Sequence, residues 1–361
     1  MGKDISIIEP KPYQIIQRRG FCPEFSHYNN PGGPRLGNAV VRIKGIWNID
    51  ADVSCEARTV LLEEAFGKAM DWTPVKIELA EGGFSAEIEL PAGGWYRLEL
   101  RAKRENRVLS STFIEPIGVG EIFIIAGQSY AENCNDKRYQ VSDPQGRVTV
   151  YDHFCRCWKI AHDPQPIAKP DPSVKYQKDG PGTIWPHTMN LLLPLLRVPI
   201  GMINVAKGAT SSRQWMPGEE LFNCLADAGR VSSDFRYILW QQGESDVIEK
   251  TGSEEYERRI LCIKKALENI CGFSRDWILA KSTFHPTVYI DPVKEGEIRQ
   301  AVNNLCLIPG FLKGPDTDIL GGIGVYRADF GASGHFTALG QENAGLLWFS
   351  SIWNYLNGSN I

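Results

Sequence analysis

The chain has 361 residues, more than one ordinary domain, so two domains each able to bury a core are expected. Its 39 Lys and Arg against 43 Asp and Glu give a net charge of −4 with no basic block to grip phosphates, which argues against nucleic acid as a partner. No apolar run approaches bilayer-spanning length, which argues against a membrane partner. Met1-Gly2-Lys3-Asp4 lacks the apolar core of a signal peptide. A secreted or periplasmic location would follow only if a signal peptide had been removed ahead of Met1, and the sequence leaves compartment and oligomeric state open.

Residues 1 to 117 read as β-structure. Phe84-Ser85-Ala86-Glu87-Ile88-Glu89-Leu90 alternates strictly, Ala92-Gly93-Gly94 turns, and Tyr96, Leu98, Leu100 and Ala102 resume the alternation, which predicts a hairpin with one wet face. Val41 with Ile43 and Ile77 with Leu79 add shorter strands, so a small antiparallel β-sandwich is the natural packing. Ala57 to Met70 reads as a helix on composition. Ile114-Glu115-Pro116-Ile117-Gly118 breaks the pattern and marks the junction to a second domain at 118–361.

From Val119 the rhythm is strand, loop, helix. Ile122-Phe123-Ile124-Ile125-Ala126 is an unbroken apolar run of the kind buried on both faces of a parallel sheet, and it stops at Gly127-Gln128-Ser129. Tyr130 to Gly182 is a long polar stretch of the sort that shapes a binding site. Helices are predicted at Thr183 to Leu196, Glu219 to Ala228, from Ser253, near Val293 to Leu307 and from Thr337. Strands are predicted at Pro199 to Ala206, Arg236 to Gln241, Trp277 to Lys281 and near Gly324. Tyr256, Ile260, Ile263, Leu267 and Ile270 fall on one helical face. The alternation implies a doubly covered parallel α/β sheet.

Nine cysteines, an odd number scattered over a long chain, do not form a disulfide framework, and most are expected to be reduced and packed. His153, Cys155, Cys157 and His162 offer potential metal ligands. The single residue between the cysteines is tighter than the roughly two to four of zinc sites, so a packing cluster is expected, with neither metal nor cofactor.

The chemistry-bearing segments fall at strand ends. In a flavodoxin-like strand order, 2-1-3-4-5, the loops carrying Ser129, Lys207-Gly208-Ala209 and Gln242-Gly243-Glu244 are neighbours at the switch point. A serine needs a base to take its proton, and His335 in Gly334-His335-Phe336-Thr337 is the candidate. The backbone N–H groups of Ser129 and Gly208 and the amide of Gln242 are candidate oxyanion donors. Three carboxylates compete to orient the histidine. Glu244 lies beside the nucleophile strand, Asp246 reads as a structural group in its own loop, and Asp329 reaches the ring only if the glycine-rich loop 331–334 doubles back. His285, after a predicted strand, is a candidate substrate contact.

Taken in order, Gly127-Gln128-Ser129, Lys207-Gly208-Ala209-Thr210-Ser211, Trp240-Gln241-Gln242-Gly243-Glu244-Ser245-Asp246 and His335-Phe336-Thr337-Ala338-Leu339-Gly340 resemble the ordered blocks of the SGNH hydrolase superfamily. Within it they are most similar to the sialate O-acetylesterase-like group and to carbohydrate esterase family six. The resemblance covers residues 119 to 361. It implies a three-layer α/β/α domain and a metal-independent esterase removing O-acetyl groups from carbohydrates, sialic acid or acetylated plant polysaccharide, through an acyl-enzyme. By position it implies Ser129 as nucleophile, His335 as base, Gly208 and Gln242 as oxyanion donors and Glu244 as the orienting acid. Tyr130 stands where the family commonly has Asn, which bears on the substrate pocket and makes Tyr130 a candidate contact. Ala332 stands where many members place an Asp three residues before the His, which leaves Asp329 as the alternative acid. The competing readings are an inactive carbohydrate-binding protein and a hydrolase of other short-chain or lipid esters.

Overall fold

The computed structural model describes residues 4–22, 36–49, 53–80, 83–168, 181–329 and 334–358; His27 and Ala332 lie outside them. The chain opens with β1 (Ile5–Glu9), β2 (Ile15–Gln17), β3 (Asn38–Trp47), β4 (Ser54–Phe66), β5 (Met70–Pro74), β6 (Ile77–Ala80), β7 (Gly83–Pro91) and β8 (Gly93–Arg104), then the long strand β9 (Arg107–Gly127). One antiparallel sheet has the order β1-β3-β7-β6. In the other, β5, β4, β8 and β9 pair antiparallel in turn. Alternation sends every second side chain inward, so Val41, Ile43, Ile88 and Leu90 of the first sheet and Ala57, Leu98 and Leu100 of the second enter one buried cluster.

Two expectations fail here. Ala57 to Met70 is not a helix: most of it lies in β4, whose Cys55, Ala57 and Thr59 point inward while Glu56 and Arg58 pair with Arg101 and Glu99 across the ladder to β8. Cross-strand pairing and burial override the helix-favouring Leu61-Leu62-Glu63-Glu64 composition. The predicted hairpin of β7 and β8 is also absent, because β7 pairs with β3 and β6 and β8 with β4 and β9. The turn at Gly93 and Gly94, with φ of 145° and 121°, carries the chain from one sheet to the other, so the apolar faces meet across the core instead of edge to edge.

The remaining elements are β10 (Val148–Asp152), β11 (Cys157–Ile160), α1 (Trp185–Leu196), β12 (Ile200–Asn204), α2 (Glu220–Ser232), β13 (Tyr237–Gln241), α3 (Glu244–Ile248), α4 (Ser253–Cys271), β14 (Trp277–Lys281), α5 (Pro292–Leu305), β15 (Phe311–Asp316) and α6 (Ala338–Leu356). The sheet runs β11-β10-β12-β9-β13-β14-β15, parallel from β10 onward. β12, β9, β13, β14 and β15 thus stand in the expected 2-1-3-4-5 order. Part of the stretch expected to be a polar loop is sheet, since β10 and β11 extend it beyond β12. The last strand is β15, not a segment near Gly324. Gly314 and Pro315 disguise it, and they are tolerated because β15 is an edge strand paired only with β14. On α4, Tyr256, Ile260, Ile263 and Leu267 are buried as expected, but Ile270 in the last turn is exposed.

Alternate residues of the central strands fall into separate clusters. Phe123, Ile125 and Leu239 lie with Trp185 and Leu192 of α1 and Trp348 of α6. Ile122, Ile124, Ile238 and Trp240 lie with Leu225 of α2, Ile260 of α4 and Ile298 of α5. No helix among the described residues is long and apolar enough to cross a membrane.

The junction expected near residue 117 falls inside β9, which pairs with β8 at its start and with β12 and β13 at its end. β2 runs parallel to its middle, Ile15 opposite Gly118. Fully buried Glu121 accepts from Gln17, Arg18 and Arg236, each at 2.7 Å. Burial alone would raise its pKa, but Arg18 and Arg236 hold the carboxyl below its ordinary value.

Candidate active site

The site begins where β9 ends. Gly127 has φ 133°, and a Cβ there would stand 2.0 Å from the Gln241 carbonyl oxygen, so only glycine lets the strand turn so close to β13. The turn is pinned by the Gln128 N–H donating to Gln241 O (2.9 Å) and the Lys207 N–H donating to Gly127 O (3.0 Å). Gln128 Oε1 accepts from the Ser245 N–H (3.1 Å) and the Gln242 amide (3.3 Å), locking this loop to the one after β13. Ser129 emerges almost buried, 7% exposed.

Gly208, after β12, is the neighbour of Ser129: a methyl group on it would lie 3.5 Å from the Ser129 Cβ. Its N–H donates to Oε2 of Glu132 at 2.5 Å. Burial raises the pKa of Glu132, opposed by Lys207, whose Nζ is 3.9 Å from its carboxylate, and by the Gly208 N–H. The group expected to receive an oxyanion is therefore held by a carboxylate three residues past the serine, a residue the sequence reading passed over. Beside it, burial pushes the Cys134 thiol up to about 12.

Gln242 is fully buried, and its amide nitrogen donates to Asp246 Oδ2 (2.6 Å), Thr210 O (3.2 Å) and Gln128 Oε1 (3.3 Å). Asp246 also takes the Ser212 N–H and hydroxyl, both at 2.7 Å. It is structural, as expected, but the backbone group it binds belongs to the loop after β12 and not to its own.

Glu244 and Asp329 contrast sharply. Glu244 is buried, accepts the Ser282 hydroxyl at 2.5 Å, and keeps its other oxygen, Oε2, without a hydrogen-bond partner among the described residues. Burial pushes its pKa up to about 8 despite the bond from Ser282; Asp318 raises it further and Arg327 opposes. Asp329 is exposed. Residues 330–333 lie outside the described residues, and the segments on either side of them run together, with the Ala328 N–H donating to His335 O at 2.9 Å and Arg327 bridged to Phe336.

His335, half-buried, precedes α6, whose N-terminus is capped by Thr337 Oγ1 accepting from the Gly340 N–H. The rings of His335 and His285 meet edge to face at 5.1 Å, and Tyr130 packs against both, at 5.2 and 5.7 Å. Tyr130 is fully buried, and its hydroxyl donates to Gly334 O (3.0 Å) and Phe284 O (3.2 Å). Burial lowers the pKa of His285, helped by nearby Arg327. Asp318 shapes the loop after β14 by accepting from the Thr283 and Phe284 N–H groups. Ser282 and Asp318 carry no motif, and only the fold reveals them.

The His153 cluster lies in the β10–β11 hairpin, away from these residues along the sheet. Cys155 and Cys157 are joined in a disulfide, so their thiolates do not serve a metal, and His162 Nδ1 accepts the Val141 N–H. No group of metal-ligating side chains occurs among the described residues.

Buried polar groups thus converge at the carboxyl ends of parallel strands in a mixed α/β fold. Residues 119–272 match the family model described as carbohydrate esterase, sialic acid-specific acetylesterase. A protein of Arabidopsis thaliana described as a probable carbohydrate esterase is 23% identical over 213 residues, 54% of this chain and 80% of that protein. In fold, the chain is similar to a carbohydrate acetylesterase from Xanthomonas citri (TM-score 0.56, 14% identity, 97% of this chain and 75% of that one). It is also similar to a solved Arabidopsis thaliana protein (TM-score 0.51, 18% identity, 66% of this chain and 99% of that one). The chain is an esterase, and its residues 119–272 match the sialic acid-specific acetylesterases among the carbohydrate esterases.

Proposed function

We propose that this esterase removes O-acetyl groups from carbohydrates by acylation of Ser129. The reading rests on the meeting of Ser129 with Gly208 at the ends of adjacent strands, beside the loop that carries His335. The domain is a three-layer α/β/α sandwich of flavodoxin-like order; its support is the division of the sheet's alternate residues between two helix-lined clusters. Residues 118–361 carry all the chemistry, and the N-terminal sandwich is an accessory unit.

In the first step His335 takes the Ser129 proton as Oγ bonds to the acetyl carbon, and the carbonyl oxygen becomes an oxyanion. Collapse breaks the bond to the sugar oxygen, which leaves with the proton from His335. Water then repeats the sequence on the acetyl-enzyme and releases acetate. The N–H groups of Ser129 and Gly208 receive the oxyanion, which requires Glu132 to yield its bond to Gly208. The Gln242 amide joins as donor by giving up one of its three present acceptors. Glu244, ionised, steadies the imidazolium; its buried carboxyl gives a charge-neutralising effect that exposed Asp329 cannot match.

The substrate is an acetylated sialic acid or an acetylated plant polysaccharide. Release of acetate should be compared across acetylated sialic acids, acetylated xylans and p-nitrophenyl acetate, with a serine-directed phosphonate adding its mass to the peptide containing Ser129. An adduct on another residue, or none in an active enzyme, would overturn the assignment.

A further inference from the structure

Tyr130 is one peptide away from the proposed nucleophile, and its hydroxyl ends on the carbonyl one residue before the proposed base. It is a direct connection between the segments that carry the two reacting groups. Its phenol is fully buried and donates to Gly334 O at 3.0 Å and to Phe284 O at 3.2 Å. The two accepting carbonyls belong to the residues directly preceding His335 and His285. The ring packs against both imidazoles, and the Arg327 guanidinium lies 4.3 Å from its centroid. Arg327 is itself immobilised by donating to Leu320 O and Thr317 O. Tyr130 itself is closed to solvent.

The segment it grips is held on its far side by the Ala328 N–H donating to His335 O at 2.9 Å and the Asp136 N–H donating to Phe336 O at 3.1 Å, while Tyr130 takes up the Gly334 carbonyl. Gly334 has φ 37°, and a Cβ on it would meet Thr287 Oγ1 at 2.5 Å and the His285 ring at 2.8 Å, so the segment is a close-packed glycine turn seated on His285. Three residues before His335 the sequence has Ala332, a side chain that cannot hold an imidazole. A base must sit within hydrogen-bond reach of the proton it removes, and a displacement of about 1 Å costs on the order of 100-fold in rate.

We infer that Tyr130 is a positioning residue for the base, a strut whose hydroxyl fixes the Gly334–His335 peptide relative to Ser129. The inference rests on the serine-esterase reading above and adds to it a residue that touches no substrate. Burial raises the phenol's pKa, so the strut keeps its proton throughout the working range.

The test is Tyr130→Phe, which keeps the ring and deletes the hydroxyl. On p-nitrophenyl acetate, kcat should fall about 10- to 100-fold with KM within about twofold, and phosphonate labelling of Ser129 should slow by the same factor. Gly334→Ala, with Tyr130 intact, pushes the same carbonyl off its partner and should give the same loss. The double variant should be no worse than either single change, because both break one link. Wild-type kcat in Tyr130→Phe, or losses that multiply in the double variant, would overturn the inference. If Tyr130→Phe does not fold, Gly334→Ala decides: a fall in kcat at constant KM supports the strut, and wild-type kcat rejects it. Ser129→Ala run alongside separates the two levels. An active Ser129→Ala sinks the serine reading itself, whereas an inactive one beside a fully active Tyr130→Phe sinks only the strut.

Discussion

The two parts of this chain use β-structure in opposite ways. In β3 burial alternates residue by residue, and the wet face carries cross-strand ion pairs such as Arg42–Glu87. In β12 and β13 all five residues are buried. A sheet with one wet face spreads its polar groups along its length, where water screens them and surface pairs contribute about 1 kcal/mol or less. A sheet covered on both faces meets solvent only at its ends, so Ser129, Gly208 and Glu244 gather there in low-dielectric surroundings that amplify each charge. Reactivity should therefore be confined to the second kind of sheet, and stability should depend on both.

The largest expected effect is at Ser129. Ser129→Ala should lower turnover by about 1,000-fold or more with the thermal midpoint unchanged, since removing the attacking oxygen forces a slower route. A loss of only a few fold in purified, folded protein would break the comparison at its centre.

Next come the two carboxylates. Glu244→Gln should cost about 100-fold in kcat and Asp329→Asn less than about twofold, because a buried charge acts through low-dielectric surroundings and an exposed one is screened. With Glu244 held near 8, kcat in the wild type should rise with pH through about 8 as the carboxylate forms, and this limb should vanish in Glu244→Gln. Stability moves the other way. The folded state holds the Glu244 proton up to about 8 while the unfolded chain releases it near the ordinary 4.5, so this group's contribution is fully present below about 4.5 and is lost as pH rises through about 8. Urea melts should therefore show Glu244→Gln gaining on the wild type across that window. If Asp329→Asn is the more damaging change to kcat, the acid comes from the histidine's own loop.

The seam between the two parts gives the third test. Arg18→Met leaves fully buried Glu121 with one arginine instead of two, which should cost roughly 3 kcal/mol in denaturant melts. The kcat of the folded enzyme should be unchanged. An activity loss without a stability loss would show that the N-terminal region takes part in the chemistry. A cut at residue 118 is the poorer test, because it removes β2 and Arg18 together with the β8 partner of β9.

The smallest effect concerns Glu132. Glu132→Gln should raise kcat at neutral pH by a few fold, since a neutral amide competes for the Gly208 N–H less strongly than a carboxylate does. Steady-state rates on p-nitrophenyl acetate suffice, and an unchanged or lower kcat would mean that the carboxylate orders Gly208 for its task.

Periodicity by itself determined the run from Ile122 to Ala126 as a buried strand, alternating strands of the N-terminal region such as Phe84 to Leu90, and the face of α4 from Tyr256 to Leu267, while the segments holding Ser129, Gly208, Glu244 and His335 stood out by their residue types and their order along the chain. Those are local properties: they depend on which side chains avoid water at a spacing of two or three to four residues. Tertiary structure alone decided that β4 is a strand, because its helix-favouring residues found partners on β8. It also decided that β7 and β8 part company, since two apolar faces bury more surface across a core than along an edge. The same holds at the site. Glu132 on Gly208, Ser282 on Glu244 and Tyr130 on Gly334 join positions 76, 38 and 204 residues apart. No pattern along the chain encodes such contacts, because they exist only once parallel strands have brought their ends together.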